Sequence, residues 1–383
     1  MKTQFFRLLD QECRRLGGLH NAHLHLDRAN TLDSRYVDHG RMAILENSFI
    51  SLQKKHALIK DIHEGPAYEA QDLLRRVGET IRVMVECGTR RADTLVDVTA
   101  DAVGLTALRL VKSCAEQRAD DIVIRTGAYS PFGFKDSEPE RWSIFERGVT
   151  EAGFIGCLPE ADDKRDYPDH IGFEEHCVRM VDLASRTGKM LHVHTDQRNI
   201  PQEDGTERLV AVLKRSKRLS LEGGPLVWAV HMVSPSTYDE RRWNRLVDGL
   251  LETNLGVICC PSAALGMRQI RPVNGPSYNS IPRVLELAAA GVPLRLGSDN
   301  VADICSPSTT ANLFDEVFVL SAAIRFYDTS ILAKFANGTQ LGLEDRTKIA
   351  EHLKRNDEEI RKVLERWGPL SSEAQMSRGD IGQ

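Results

Sequence analysis

The chain alternates between short apolar runs and longer segments of helical periodicity, and this alternation limits its possible folds more than any other feature. The runs that indicate strands are 18–25, 94–98, 122–126, 153–158, 190–194, 226–230, 256–260 and 293–297. The segments of helical period between them include 69–86, 171–188, 205–219, 239–253 and 280–291. Such alternation predicts a parallel sheet covered by helices. For 383 residues the simplest closed form is a (β/α)8 TIM-type barrel, an α/β fold.

A doubly wound open sheet is the alternative to the barrel. It is disfavoured because no Gly-x-Gly-x-x-Gly motif follows the first strand. We expect the barrel to occupy residues 1–340, a charged helical extension to follow over 341–370, and the polar tail 371–383 to be disordered.

Composition excludes several classes of partner. The net charge of −5 is spread along the chain without a basic block, which argues against nucleic acid and anionic membrane surfaces. The eight cysteines are scattered without a CxxC pair and no signal peptide is evident, so we expect reduced thiols and a cytoplasmic protein. The expected partner is a small-molecule substrate, and a homo-oligomer remains open.

Polar side chains that can bind a transition metal stand at the ends of four predicted strands. They occur in His-Leu-His at 23–25, His-Thr-Asp-Gln at 194–197, Ala-Val-His at 229–231 and Gly-Ser-Asp-Asn at 297–300. Residues two apart on a strand face the same side, so His23 and His25 can address one centre. Imidazoles and a carboxylate suit zinc, iron or manganese. The carboxyl ends of barrel strands are where such enzymes carry their sites.

Each of these residues also has a structural interpretation. The pair His23 and His25 could pack in a polar layer, and His231 could be an ordinary core histidine. His192, one layer deeper than His194, is interpreted as a structural imidazole. Asp299 could cap a helix. Because the motifs occur together and in order, we favour the metal site, with His231 beside the metal as a proton carrier.

The motifs resemble those of the amidohydrolase superfamily, and within it the cytosine-deaminase-like branch. Besides the strand ends, the resemblance includes Leu105-Thr-Ala-Leu108 and the stretch 283–291, and it extends from about residue 18 to 330. It implies a metal-dependent aminohydrolase with one divalent transition metal, zinc or iron, held by His23, His25, His194 and Asp299. His231 and Asp299 would then activate water and carry protons. The fourth strand ends without the lysine of binuclear relatives, so one metal is expected.

Three positions depart from the deaminase pattern. The glutamate that protonates the ring nitrogen in that branch is replaced by Gln197, and the second aspartate of the last strand by Asn300. Phe132 stands where the cytosine enzymes carry a glutamine that contacts the base. These changes argue against cytosine as the substrate. We expect Gln197 to take a non-titrating part in catalysis, and Gln197, Asn300 and Phe132 to contact the substrate.

The accessory β-sandwich of these relatives is not expected, because residues 1–18 are too short and the C-terminal segment is too helical. The sequence therefore predicts a metal-dependent hydrolase of carbon–nitrogen bonds that deaminates, or releases an amine from, an amino-substituted heterocycle. The alternatives are a cyclic-amide hydrolase, a catalytically impaired metal-binding barrel, and a barrel without metal.

Overall fold

A computed structural model describes residues 3–37, 52–216, 220–221, 224–266 and 281–367 of the chain. Eight parallel strands form one sheet in which each strand pairs with its neighbour in sequence. They are β1 Leu19–His25, β2 Thr89–Asp97, β3 Val123–Tyr129, β4 Phe154–Cys157, β5 Leu191–Thr195, β6 Val227–His231, β7 Gly256–Cys259 and β8 Leu294–Leu296.

The sheet closes on itself where β8 returns to β1. The Asp299 amide donates to the carbonyl of His23 at 2.9 Å, the His25 amide donates to the carbonyl of Asp299 at 3.3 Å, and Leu24 bridges Asp299 in parallel. The predicted (β/α)8 barrel is therefore confirmed. Closure also places two of the predicted ligand motifs side by side in space, although they are nearly 300 residues apart in sequence.

Helices cover the outside of the barrel. They are α1 Gln4–Arg15, α2 Leu52–His63, α3 Ala70–Glu86, α4 Thr106–Gln117, α5 Pro139–Glu151, α6 Phe173–Thr187, α7 Gly205–Arg215, α8 Glu240–Thr253, α9 Pro261–Gly266, α10 Val284–Ala290, α11 Leu313–Ile324, α12 Thr329–Asn337 and α13 Leu343–Trp367. Their apolar faces pack on the strands in one large core. Both α6 and α10 end at a left-handed glycine, Gly188 at φ 64° and Gly291 at φ 95°, a common way for a helix to end.

The C-terminal extension forms the single helix α13 and lies against the barrel. Lys334 pairs with Asp345 at 2.6 Å, and Arg346 donates to the carbonyls of Ala289 and Ala290. The tail 371–383 lies outside the described residues. Apart from a two-residue hairpin, Ser220–Leu221 with Gly224–Pro225, the described residues form no second sheet, in line with a barrel that lacks the accessory β-sandwich. None of the described helices is long and apolar enough to cross a membrane.

Candidate metal centre

Four predicted ligands converge at the carboxyl end of the barrel. His23 and His25 come from β1, His194 from β5, and Asp299 follows β8; all four are buried and their ligand atoms lie within 4.8 Å of one another. The Nε2 atoms of His23 and His194 are 3.2 Å apart. Asp299 Oδ1 lies 3.6 Å from His23 Nε2 and 3.4 Å from His25 Nε2.

Neighbouring groups orient the imidazole rings of two of these residues, His194 and His23. The Nδ1 atom of His194 lies 2.9 Å from the carbonyl oxygen of Cys157 and must donate to it, which leaves the Nε2 lone pair directed at the centre. The Nδ1 atom of His23 lies 3.2 Å from Nδ1 of His192, so one ring donates to the other. His192 therefore supports a ligand from behind, which fits its interpretation as a structural imidazole.

His25 has a different neighbour. The Nη2 atom of Arg28 donates to His25 Nδ1 at 2.9 Å, so the neutral ring carries its own proton on Nε2. A metal at Nε2 would move that proton to Nδ1 and break the contact with Arg28. His194 and Asp299 thus present their ligand atoms as they stand, whereas His25 needs a local shift of Arg28.

Burial sets the ionisation of the ligands. It lowers the pKa of His194 well below the usual value, and burial followed by the charge of Arg28 lowers the pKa of His25 to about 4. Burial alone would raise the pKa of Asp299, but hydrogen bonds with His23 and His25 hold it well below its ordinary range. At neutral pH His25 and His194 are therefore neutral imidazoles and Asp299 is a carboxylate, the forms that bind a metal.

The backbone is strained at three of the strand ends. Asp196, His231 and Asp299 have φ values of 60°, 77° and 59°, a region that residues other than glycine seldom adopt. Strain of this kind is usually found at functional sites. It turns the chain sharply as each strand ends. In Asp196 it directs the carboxylate to the start of α7, where it accepts from the amides of Gly205 and Thr206.

A cavity of about 80 Å³ opens beside the four ligands. It is lined by three more of the predicted residues, His231, Gln197 and Asn300, together with Arg28 and Tyr129. His231 Nε2 lies 3.9 Å from Asp299 Oδ2. The structure thus places His231, Asp299, Gln197 and Asn300 around one small space.

Phe132, the remaining residue predicted to contact the substrate, lines a different cavity. Successive residues at the end of β3 face two different cavities. Tyr129 and Pro131 line the cavity beside the candidate ligands, whereas Ser130 and Phe132 line a neighbouring cavity of about 530 Å³. The Tyr129 ring instead contacts His25 and His194, at centroid distances of 5.2 and 5.3 Å.

Two charged residues at the site, Arg28 and Glu160, were not predicted from the sequence. Arg28 stands three residues after His25, and a basic residue so close to a ligand was the available signal. Glu160 follows β4, and a carboxylate directly after a buried strand was the same signal used for Asp299. Glu160 is 6% exposed and lies behind Gln197.

A second buried network lies on the other side of Arg28. His63 bonds Asp97 at 2.9 Å and Asp101 at 2.8 Å, and although burial alone would lower its pKa, these two hydrogen bonds raise it to about 9. Asp97 also lies 3.4 Å from Arg28 Nη1. The network holds Arg28 at the edge of the cavity.

No family model matches the chain. An uncharacterised protein of Haemophilus influenzae is 26% identical over 259 residues, which cover 68% of this chain and 86% of that protein. A pterin deaminase of Rhizobium rhizogenes is 23% identical over 261 residues, which cover 67% of this chain and 55% of the relative. The solved structure of a 5-methylcytosine deaminase from Klebsiella pneumoniae, liganded with 5-fluorocytosine, matches with a TM-score of 0.70 at 22% identity, over 84% of this chain and 73% of that one. The barrel fold is thus confirmed, and the chain is similar to a pterin deaminase and to a 5-methylcytosine deaminase.

Proposed function

We propose that this chain is a metal-dependent hydrolase that cleaves a carbon–nitrogen bond of a small nitrogen heterocycle and releases ammonia or an amine. The observation that carries the proposal is the convergence of four buried ligand atoms within 4.8 Å beside a cavity. The likeness to a pterin deaminase and to a 5-methylcytosine deaminase supports the reaction class.

The donor set fits one divalent transition metal, zinc or iron. Three imidazoles and one carboxylate are ligands that both metals accept, and His194 already directs a lone pair at the centre. Bound there, the metal would lower the pKa of a water from which the nucleophile comes.

Two of the chain's own residues are placed to move protons. Asp299 is ionised and can accept a proton from a water in the cavity. His231 faces the same cavity, with Nε2 3.9 Å from Asp299 Oδ2, and can pass a proton toward the leaving nitrogen. We assign both residues to catalysis on this geometry.

The charge of the cavity favours a neutral or anionic substrate. Gln197 and Asn300 contribute neutral amides, and Arg28 contributes a positive charge at the cavity edge. Gln197 cannot give and regain a proton in the pH range of catalysis. Because Gln197 cannot act as an acid, hydrolysis of a cyclic amide is the second candidate, since ring opening has less need of an acid at this position.

The test is release of ammonia or amine across a panel of amino-substituted heterocycles, with ring opening of cyclic amides followed in parallel. We expect metal-dependent turnover of at least one amino-heterocycle by the wild type, and none by His194→Ala. A panel in which only cyclic amides react would favour the second candidate. A metal-loaded enzyme that turns over neither class would contradict the proposal.

A further inference from the structure

Glu160 holds the side chain of Gln197 in one orientation. It lies in the short turn Pro159–Asp162 after β4 and joins the ends of β4 and β5. Its Oε1 atom accepts from the backbone amide of Asp196 at 2.9 Å, and its Oε2 atom accepts from Nε2 of Gln197 at 3.0 Å. Both oxygens of a buried carboxylate are thus engaged by N–H donors.

These contacts decide which end of the Gln197 amide is available to a ligand. An ionised carboxylate only accepts hydrogen bonds, so it must face the NH2 group of Gln197 and not the carbonyl oxygen. Gln197 lines the cavity, and among the described residues its Oε1 atom makes no hydrogen bond. The amide therefore has a hydrogen-bond acceptor left to offer.

We propose that Glu160 determines specificity by fixing Gln197 with its carbonyl oxygen toward the substrate, so that the site selects heterocycles that present an N–H donor there. This inference rests on the proposed function and narrows its substrate class. A ring with an unprotonated nitrogen at that position would place two hydrogen-bond acceptors opposite each other. A buried acceptor that has no donor weakens binding.

The orientation holds while Glu160 is ionised. Burial raises its pKa to about 7, with the charge of Arg198 acting in the opposite direction and Asp196 adding to the rise. Burial and then the charge of Glu160 also raise the pKa of Glu203, a third buried carboxyl group in this region. Binding should therefore be measured well above pH 7, where Glu160 carries its charge.

Uracil and cytosine are a suitable pair of probes because they have nearly the same shape. Uracil presents an N–H at ring position 3, where cytosine presents a bare nitrogen. We expect the metal-loaded wild type to bind uracil more tightly than cytosine, by roughly tenfold or more, as the unpaired acceptor implies. Calorimetric titration of each base gives the ratio directly.

Glu160→Gln is the decisive variant. In this variant the side-chain carbonyl oxygen at position 160 must still accept from the Asp196 amide, so the new NH2 group faces Gln197. The Gln197 amide then flips, and its NH2 group faces the substrate. The preference should then shift toward cytosine. Glu203→Gln is the matched control: Glu203 accepts from the Arg198 amide at 2.8 Å and from the Ser234 hydroxyl, so the same loss of charge should leave the ratio unchanged.

Several outcomes would overturn the inference. They are equal or tighter binding of cytosine by the wild type, failure to bind uracil at millimolar concentration, and an equal shift in Glu160→Gln and Glu203→Gln. If Glu160→Gln does not fold, Gln197→Leu should abolish the preference while keeping metal; retention of the preference would overturn the inference. Failure of the proposed function has a different result: the protein would still bind uracil more tightly than cytosine but would turn over no substrate.

Discussion

His231 is the side chain on which the proposed proton transfer depends. Its ring lines the cavity and stands 3.9 Å from the Asp299 carboxylate, without belonging to the four-ligand cluster. We predict that His231→Asn lowers kcat by roughly 10²–10⁴-fold, the usual contribution of a general acid–base group, and leaves metal content nearly unchanged.

Steady-state kinetics on the best substrate of the panel, together with elemental analysis of the same preparation, check this prediction. Activity within a few-fold of the wild type would make His231 a core residue. Loss of metal along with activity would instead make it a ligand.

At the scale of single residues, the sequence predicted the ligands better than their surroundings. His23, His25, His194 and Asp299 could be found because each is a ligand type that ends an apolar run. The orientation of Gln197 could not be predicted, because its partner Glu160 lies in the turn after β4 and no sequence pattern links the two residues. The cavity that Phe132 lines could not be predicted either, because it depends on the path of the chain after β3.

Closure of the barrel depends on the contact between β1 and the end of β8. At Gly297 a Cβ atom would lie 2.6 Å from the carbonyl oxygen of His23 and 2.8 Å from its Cβ, so a side chain there must push the two strands apart. We predict that Gly297→Ala destabilises the protein by about 1–3 kcal/mol, the usual cost of overpacking, and weakens metal binding because His23 and Asp299 separate.

Denaturant unfolding and metal titration measure the two effects. Gly78→Ala is the control: Gly78 lies within α3, nothing stands within 4 Å of an added Cβ, and we expect stabilisation by up to about 1 kcal/mol with unchanged metal affinity. Equal behaviour of the two variants would show that the close approach at Gly297 does not constrain the site.

At the scale of elements, most of the eight strands and the longer helices agree with prediction within about four residues, because their hydrophobic patterns are regular. The exception is β2, which begins at Thr89 and not at 94, because its first residues are polar. The segment 136–141 shows where composition misleads: it is polar and follows β3, as a loop would, but it includes the start of α5, Pro139–Glu151. Proline is common in the first turn of a helix.

Over the whole molecule, the barrel brings residues from both ends of the chain into one centre. The parallel alternation could be predicted from sequence because each strand–helix unit is local. The register that brings Asp299 beside His23 could not, because it arises only when the eighth strand meets the first. One prediction therefore depends on the entire fold, namely that the residues that the structure describes bind one metal ion at this centre.

Elemental analysis of protein purified without chelators tests that claim most directly, with His194→Ala measured alongside. We predict close to one zinc or iron per chain in the wild type and severe loss of metal in His194→Ala, which removes a ligand already oriented by the Cys157 carbonyl. A folded wild-type protein that contains no transition metal and takes up none on titration would contradict the account.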